Sequence, residues 1–106
     1  MFDANVFGPI RMVKDFISLL IASGDGRILQ IGSTAALFAV PFRSAYNASK
    51  AALHAYSDTL RVELAPFKCV VLKVFSDMYS RCYFTSHQRQ SDYGTENSRD
   101  LHVLEC

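Results

Sequence analysis

Tyr46 and Lys50 stand four residues apart in Tyr46-Asn47-Ala48-Ser49-Lys50, with Ser33 upstream at the end of an apolar run. On a helix this spacing puts the two side chains on one face, a single turn from each other. A phenol ordinarily ionises near pH ~10, and an ammonium beside it favours the phenolate, so such a tyrosine can exchange protons nearer neutrality. A serine hydroxyl delivered by a preceding strand can polarise a carbonyl held over the pair. The chemistry that suits these three groups is carbonyl–alcohol redox. Tyr46 would be the acid in reduction and the base in oxidation, Lys50 would tune the phenol, and Ser33 would hold the substrate oxygen. Each has a plainer alternative: a half-buried boundary tyrosine, a solvated helix lysine, a serine capping a turn. With five tyrosines in the chain, a chance match of this spacing is a real competitor, and the surrounding elements decide.

Those elements are legible. Val6, Phe7, Ile10, Val13, Ile17, Leu20 and Ile21 recur at spacings of three and four and predict an amphipathic helix over residues 4–22. Ser23-Gly24-Asp25-Gly26 should end it as a turn. Ile28 to Ile31 read as a strand too apolar to alternate, hence covered on both faces. Thr34 to Arg43, interrupted by Pro41, read as a connecting loop, and Phe38, Val40 and Phe42 in it suit either an apolar substrate pocket or buried loop anchors. Ser44 to Leu64 predict a second helix closed by Pro66, and Cys69 to Phe75 a second parallel strand. Helix, strand, helix, strand in this order is a βαβ crossover with a leading helix. The fold class is therefore α/β, a piece of a doubly wound parallel sheet whose two strands would leave both edges open. Residues 1–75 form the ordered unit. Residues 76–106 lack an apolar period apart from Leu101, Val103 and Leu104, and predict a polar, loosely ordered tail with at most a short element near Leu101.

Asn5 enters through bond counting. Pro9 has no N–H, so the carbonyl four residues before it, that of Asn5, loses its helical partner. The alternatives are a simple proline kink, or Asn5 as a helix N-cap.

Composition narrows the field. The chain has 106 residues, half of them hydrophobic and a fifth charged, with a formal net charge of +1. That describes at most one small globular domain and offers no field for nucleic acid or an acidic membrane surface. Cys69, Cys82 and Cys106 make no metal-ligand pair, and no metal is expected. The odd count, with no leader-like character in Met1 to Asn5, predicts reduced thiols in an intracellular protein. The apolar run from Phe16 to Ala22 is far shorter than the roughly 20 residues of a membrane span. His54, one turn beyond Lys50, reads as a packing or surface residue, and Asn47 and Ser49 as residues that tune the helix face.

The Ile31-Gly32-Ser33 strand end, the Tyr46-to-Lys50 motif and the Ala51-Ala52 continuation together resemble the short-chain dehydrogenase/reductase family over about residues 1–75. The resemblance implies a Rossmann-type fold and a catalytic tetrad of Asn5, Ser33, Tyr46 and Lys50. In it Lys50, with Tyr46, contacts the nicotinamide ribose, and the Asn5 carbonyl holds a water that relays protons to Lys50. It implies NADPH or NADH as cofactor. The stretch Tyr46 to Arg61, followed by Glu63-Leu64-Ala65-Pro66-Phe67, is similar to fungal 1-acyldihydroxyacetone-phosphate reductases. That implies NADPH, a lipid-like ketone substrate, and a cytoplasmic, endoplasmic-reticulum or lipid-droplet location with peripheral membrane association. Retinol- or steroid-type substrates are the alternative. Two family features have no counterpart in these residues: the glycine-rich turn that receives the pyrophosphate, and a glycine turn after the second strand, where Phe75-Ser76-Asp77-Met78 stands. The competing expectation is therefore a truncated, inactive fragment that keeps the catalytic residues, binds cofactor poorly and associates with a second copy through its two helices.

Overall fold

A computed structural model describes residues 1–76, 82–85 and 102–104. The first helix begins with a π-turn, Asp3–Phe7, and continues as α1, Gly8–Ala22, with Pro9 in its first turn. The Gly8 N–H reaches back to the Asp3 carbonyl, the five-residue step of a π-turn. Pro9 is tolerated because the opening N–H groups of an α-helix have no intrahelical partner. Asn5 therefore lies inside the π-turn and is not an N-cap.

Gly24, at φ 73°, turns the chain after α1. Gly26 passes so close to α1 that a Cβ there would lie 2.5 Å from the Leu20 carbonyl oxygen. Strand β1, Arg27–Ser33, follows, then a short 3-10 turn at Thr34–Ala36, and α2, Ser44–Leu64. Pro66 converts the end of α2 into a 3-10 turn, and Lys68 reverses the chain in the left-handed conformation. Strand β2, Val70–Ser76, then pairs in parallel with β1, in a register running from Arg27 opposite Val70 to Ser33 opposite Ser76. The order β1–α2–β2 in adjacent parallel strands is the crossover that the sequence predicts.

Two further strands extend the sheet. β3, Cys82–Thr85, is antiparallel to β2, and β4, His102–Leu104, is antiparallel to β3. β2 is therefore an interior strand, and the expected sheet of two strands with both edges open gives way to one in the order β1-β2-β3-β4. Both added strands fall in 76–106, and the rest of the expected loose tail lies outside the described residues.

One expectation for β1 does not hold. Its exposure alternates along the strand, with Ile28 and Gln30 buried and Leu29 and Ile31 each 55% exposed. Both helices contribute to a single core on the Ile28 face. There Ile28, Val71, Leu60, Leu64 and Cys69 meet Val13, Ile17, Leu20 and Ile21 of α1. A run too apolar to alternate suggested two covered faces, yet among the described residues only one is packed. No described helix is long and apolar enough to cross a membrane.

Candidate active site

The two chemical side chains lie near the start of α2. Tyr46 and Lys50 are both half-buried, and the Lys50 ammonium sits 5.9 Å from the centroid of the Tyr46 ring. The same ammonium donates to the Ile31 carbonyl at 3.2 Å, which ties α2 to the end of β1. Two residues further along β1, Ser33 ends the strand in an extended conformation, and its Oγ accepts the Ala35 N–H at 3.2 Å. Ser33 is thus both the strand-end cap of the plainer reading and a buried hydroxyl at the same strand end as Lys50's partner.

Asn5 reaches the same helix through Ser49. Its Nδ2 donates to Ser49 Oγ at 3.1 Å, and Ser49 Oγ–H donates to the Tyr46 carbonyl at 2.8 Å. The four predicted residues are therefore drawn to one region, Tyr46 and Lys50 on α2, Ser33 at the end of β1 and Asn5 against Ser49. Two contacts escape a reading of residue types. The Ile31 partner of Lys50 is a backbone atom and leaves no mark in the sequence. Ser49 carries a helix-serine signal, a back-bond toward the preceding turn, but its partner lies 44 residues away.

The loop ahead of Tyr46 is held by Asn47, whose Nδ2 donates to the Val40 carbonyl at 3.2 Å. Phe38 and Phe42 are exposed, and Phe42 takes the strained left-handed conformation at φ 61°. They are therefore not buried anchors.

His54 lies one turn beyond Lys50 and is stacked edge-on against Phe75, with ring centroids 5.2 Å apart. Burial, and next the Lys73 ammonium, push its pKa below the ordinary 6.5 despite the carboxylate of Asp58. At neutral pH the 3.5 Å contact of His54 with Asp58 is therefore one of a neutral imidazole. Asp58 is instead the ion-pair partner of Lys73, with Arg61 at 3.8 Å. Because the folded chain resists protonating His54, the unfolded chain binds the extra proton between pH 6.5 and the lower folded value. Stability is then full above pH 6.5 and is lost as the pH falls through the folded pKa. Denaturant midpoints measured against pH should show this decline in the native chain and a flatter profile in His54→Gln. An unchanged slope would contradict the assignment.

The sequence profile of the short chain dehydrogenase family matches residues 1–81. The chain belongs to the short-chain dehydrogenase family. The short-chain dehydrogenase virD of Hypocrea virens is 53% identical over 76 residues, covering 72% of this chain and 26% of that protein. The NADPH-dependent 1-acyldihydroxyacetone phosphate reductase of Schizosaccharomyces pombe is 47% identical over 74 residues, covering 70% and 25%. A crystal structure of a short-chain dehydrogenase from Streptomyces avermitilis superposes with a TM-score of 0.68 at 36% identity, over 71% of this chain and 28% of that one. The chain thus spans about a quarter of the length of the curated relatives it matches. Within that quarter the short-chain dehydrogenase match takes in the π-turn with Asn5, β1 with Ser33 and α2 with Tyr46 and Lys50, together with α1 and β2.

Proposed function

We propose that this chain carries the proton-transfer centre of an NADPH-linked carbonyl reductase acting on a lipid-like ketone of the acyl-dihydroxyacetone phosphate type. The observation that carries the reading is the Lys50 bond to Ile31. It brings the start of α2, with Tyr46, to the strand end that bears Ser33.

Half of the donor set fits the cofactor. Lys50 keeps two N–H donors beyond its bond to Ile31, and the Tyr46 phenol is a third group that can meet ribose hydroxyls. A pyrophosphate finds no comparable cradle among the described residues. α2 begins after Val40-Pro41-Phe42-Arg43, without glycine, and Gly24 and Gly26 turn the chain at the opposite end of β1. Lys50 and Tyr46 would hold the nicotinamide ribose, and the diphosphate would depend on contacts beyond these. NADPH, when bound, supplies the hydride. The chain's own residues do the rest. Ser33 Oγ and the Tyr46 phenol hold the ketone oxygen, Tyr46 releases its proton to that oxygen, and Lys50 stabilises the phenolate left behind. The Asn5 carbonyl, with Pro9 unable to donate to it, stands as the acceptor for a relay water.

The lipid-like substrate is supported by exposed Phe38 and Phe42 in the loop that precedes Tyr46 and by the name of the fission-yeast relative. Retinol- or steroid-type ketones are the alternative, and a location at endoplasmic reticulum or lipid droplets goes with the lipid reading. A second reading is favoured by α1. Met12, Phe16 and Leu19 form an exposed apolar stripe apart from its core-facing side chains. A non-catalytic chain could pair with a second copy through that face.

Titrating the purified chain into NADPH while following nicotinamide fluorescence separates the two readings. Micromolar binding, followed by NADPH oxidation with an acyl-dihydroxyacetone phosphate faster than with retinal or a steroid ketone, is the expected result. No binding up to millimolar cofactor would overturn the reductase reading for this chain.

A further inference from the structure

Ser49 lies within the Tyr46–Lys50 motif, yet its side chain is 0% exposed and cannot touch substrate. It has one O–H and two lone pairs. The O–H is used on the Tyr46 carbonyl at 2.8 Å, so toward Asn5 the hydroxyl can only accept, and the Asn5 amide must present its N–H. The result is a directed chain from the Asn5 amide through the Ser49 hydroxyl to the Tyr46 carbonyl. Ser57 offers the contrast. It is equally buried on α2 and donates to the Leu53 carbonyl at 2.7 Å, but among the described residues no side chain from another element donates to it.

A serine that back-bonds into the preceding turn adds a second hydrogen bond to a helical carbonyl and bends the helix locally. Here the added bond falls on the turn bearing Tyr46, and the hydroxyl that makes it is fixed by a residue of a different element. Asn5 is itself fixed in the π-turn, which the Gly8-to-Asp3 bond closes, and a Cβ at Gly8 would lie 3.2 Å from that Asp3 oxygen. We propose that the Asn5 amide and Ser49 are positioning residues for Tyr46. Through the Tyr46 carbonyl they fix the first turns of α2, and with them the phenol and the Lys50 ammonium relative to the Ile31–Ser33 strand end. This gives the Asn5 side chain a task separate from that of its carbonyl. The catalytic consequence rests on Tyr46 being the proton donor, whereas the latch itself does not.

The test uses the full chain, isotopically labelled for NMR, with Ser49→Ala, Asn5→Asp and the double variant. Asn5→Asp keeps the shape of the side chain but removes its donor, so the Ser49 hydroxyl turns to the new carboxylate and leaves the Tyr46 carbonyl. The expected result is an upfield move of the Tyr46 carbonyl carbon in both single variants, with the Leu53 carbonyl, held by Ser57, unmoved. Folding equilibrium constants of the singles and the double should show coupling of about tenfold. In ketone reduction, both variants should lower kcat about tenfold with KM for NADPH unchanged. A Tyr46 carbonyl that stays in place in Asn5→Asp, or strictly additive stabilities, would overturn the latch whatever the chain catalyses. A displaced carbonyl with unchanged kcat would overturn the positioning role. Absence of ketone reduction by the native chain would instead refute the proposed function and leave the latch standing on its NMR and coupling results.

Discussion

Tyr46→Phe is expected to lower the rate of ketone reduction by about 10²–10⁴-fold, the usual contribution of a positioned general acid. The substitution removes one oxygen and keeps the ring. The contacts that place α2 do not involve that oxygen, since Lys50 donates to the Ile31 carbonyl and Ser49 to the Tyr46 carbonyl. The chain should therefore fold as before, and the loss should appear in kcat with KM little changed, because the proton is needed only in the transition state. Steady-state kinetics beside a denaturation curve check both halves. A variant that retains native turnover would show that the proton comes from elsewhere. One that loses stability instead would show that Tyr46 is a packing residue.

Leu60→Ala should have the largest effect on the fold. Leu60 is 6% exposed and sits in the cluster with Ile28, Leu64, Cys69 and Val71, at the junction of α1, α2 and both parallel strands. Truncating a buried leucine costs about 2–5 kcal/mol, because the cavity closes only partly. A small domain has only about 5–15 kcal/mol to lose. Urea titration followed by circular dichroism should show that loss, and Val62→Ala, at a side chain 54% exposed, should change stability by less than about 0.5 kcal/mol. Equal effects at the two positions would mean that the core lies elsewhere. Since the same cluster holds α2 against the sheet, the loss should also loosen the Lys50 contact with β1.

What the sequence showed and what it hid follow from the range of the interactions. α2 was legible from end to end, because the period of its apolar residues and Pro66 are local signals. The parallel pairing of β1 and β2 followed from two apolar runs separated by a helix. The exposed face of β1 did not, since Leu29 and Ile31 are as apolar as residues that are packed, and only the placement of both helices on the Ile28 face distinguishes them. β3 and β4 carry no periodic signal, and they are held by backbone pairing that almost any residue can supply. At the site, residue type and spacing suggested Tyr46, Lys50 and Ser33, the missing Pro9 N–H singled out Asn5, and the family resemblance joined the four. The contacts that organise them could not, for they run to a backbone carbonyl at Ile31 and to a serine 44 residues from its asparagine.

In the proposed function, the end of β1 and the start of α2 form one site for the nicotinamide ribose. The most direct test is to follow the backbone amides of the full chain, and the labelled Lys50 side chain, while NADPH is added. Shifts confined to Ile31–Ser33 and Tyr46–Lys50, abolished in Lys50→Met, are the predicted result. Millimolar NADPH that leaves these residues unmoved, or moves them equally in Lys50→Met, would contradict it.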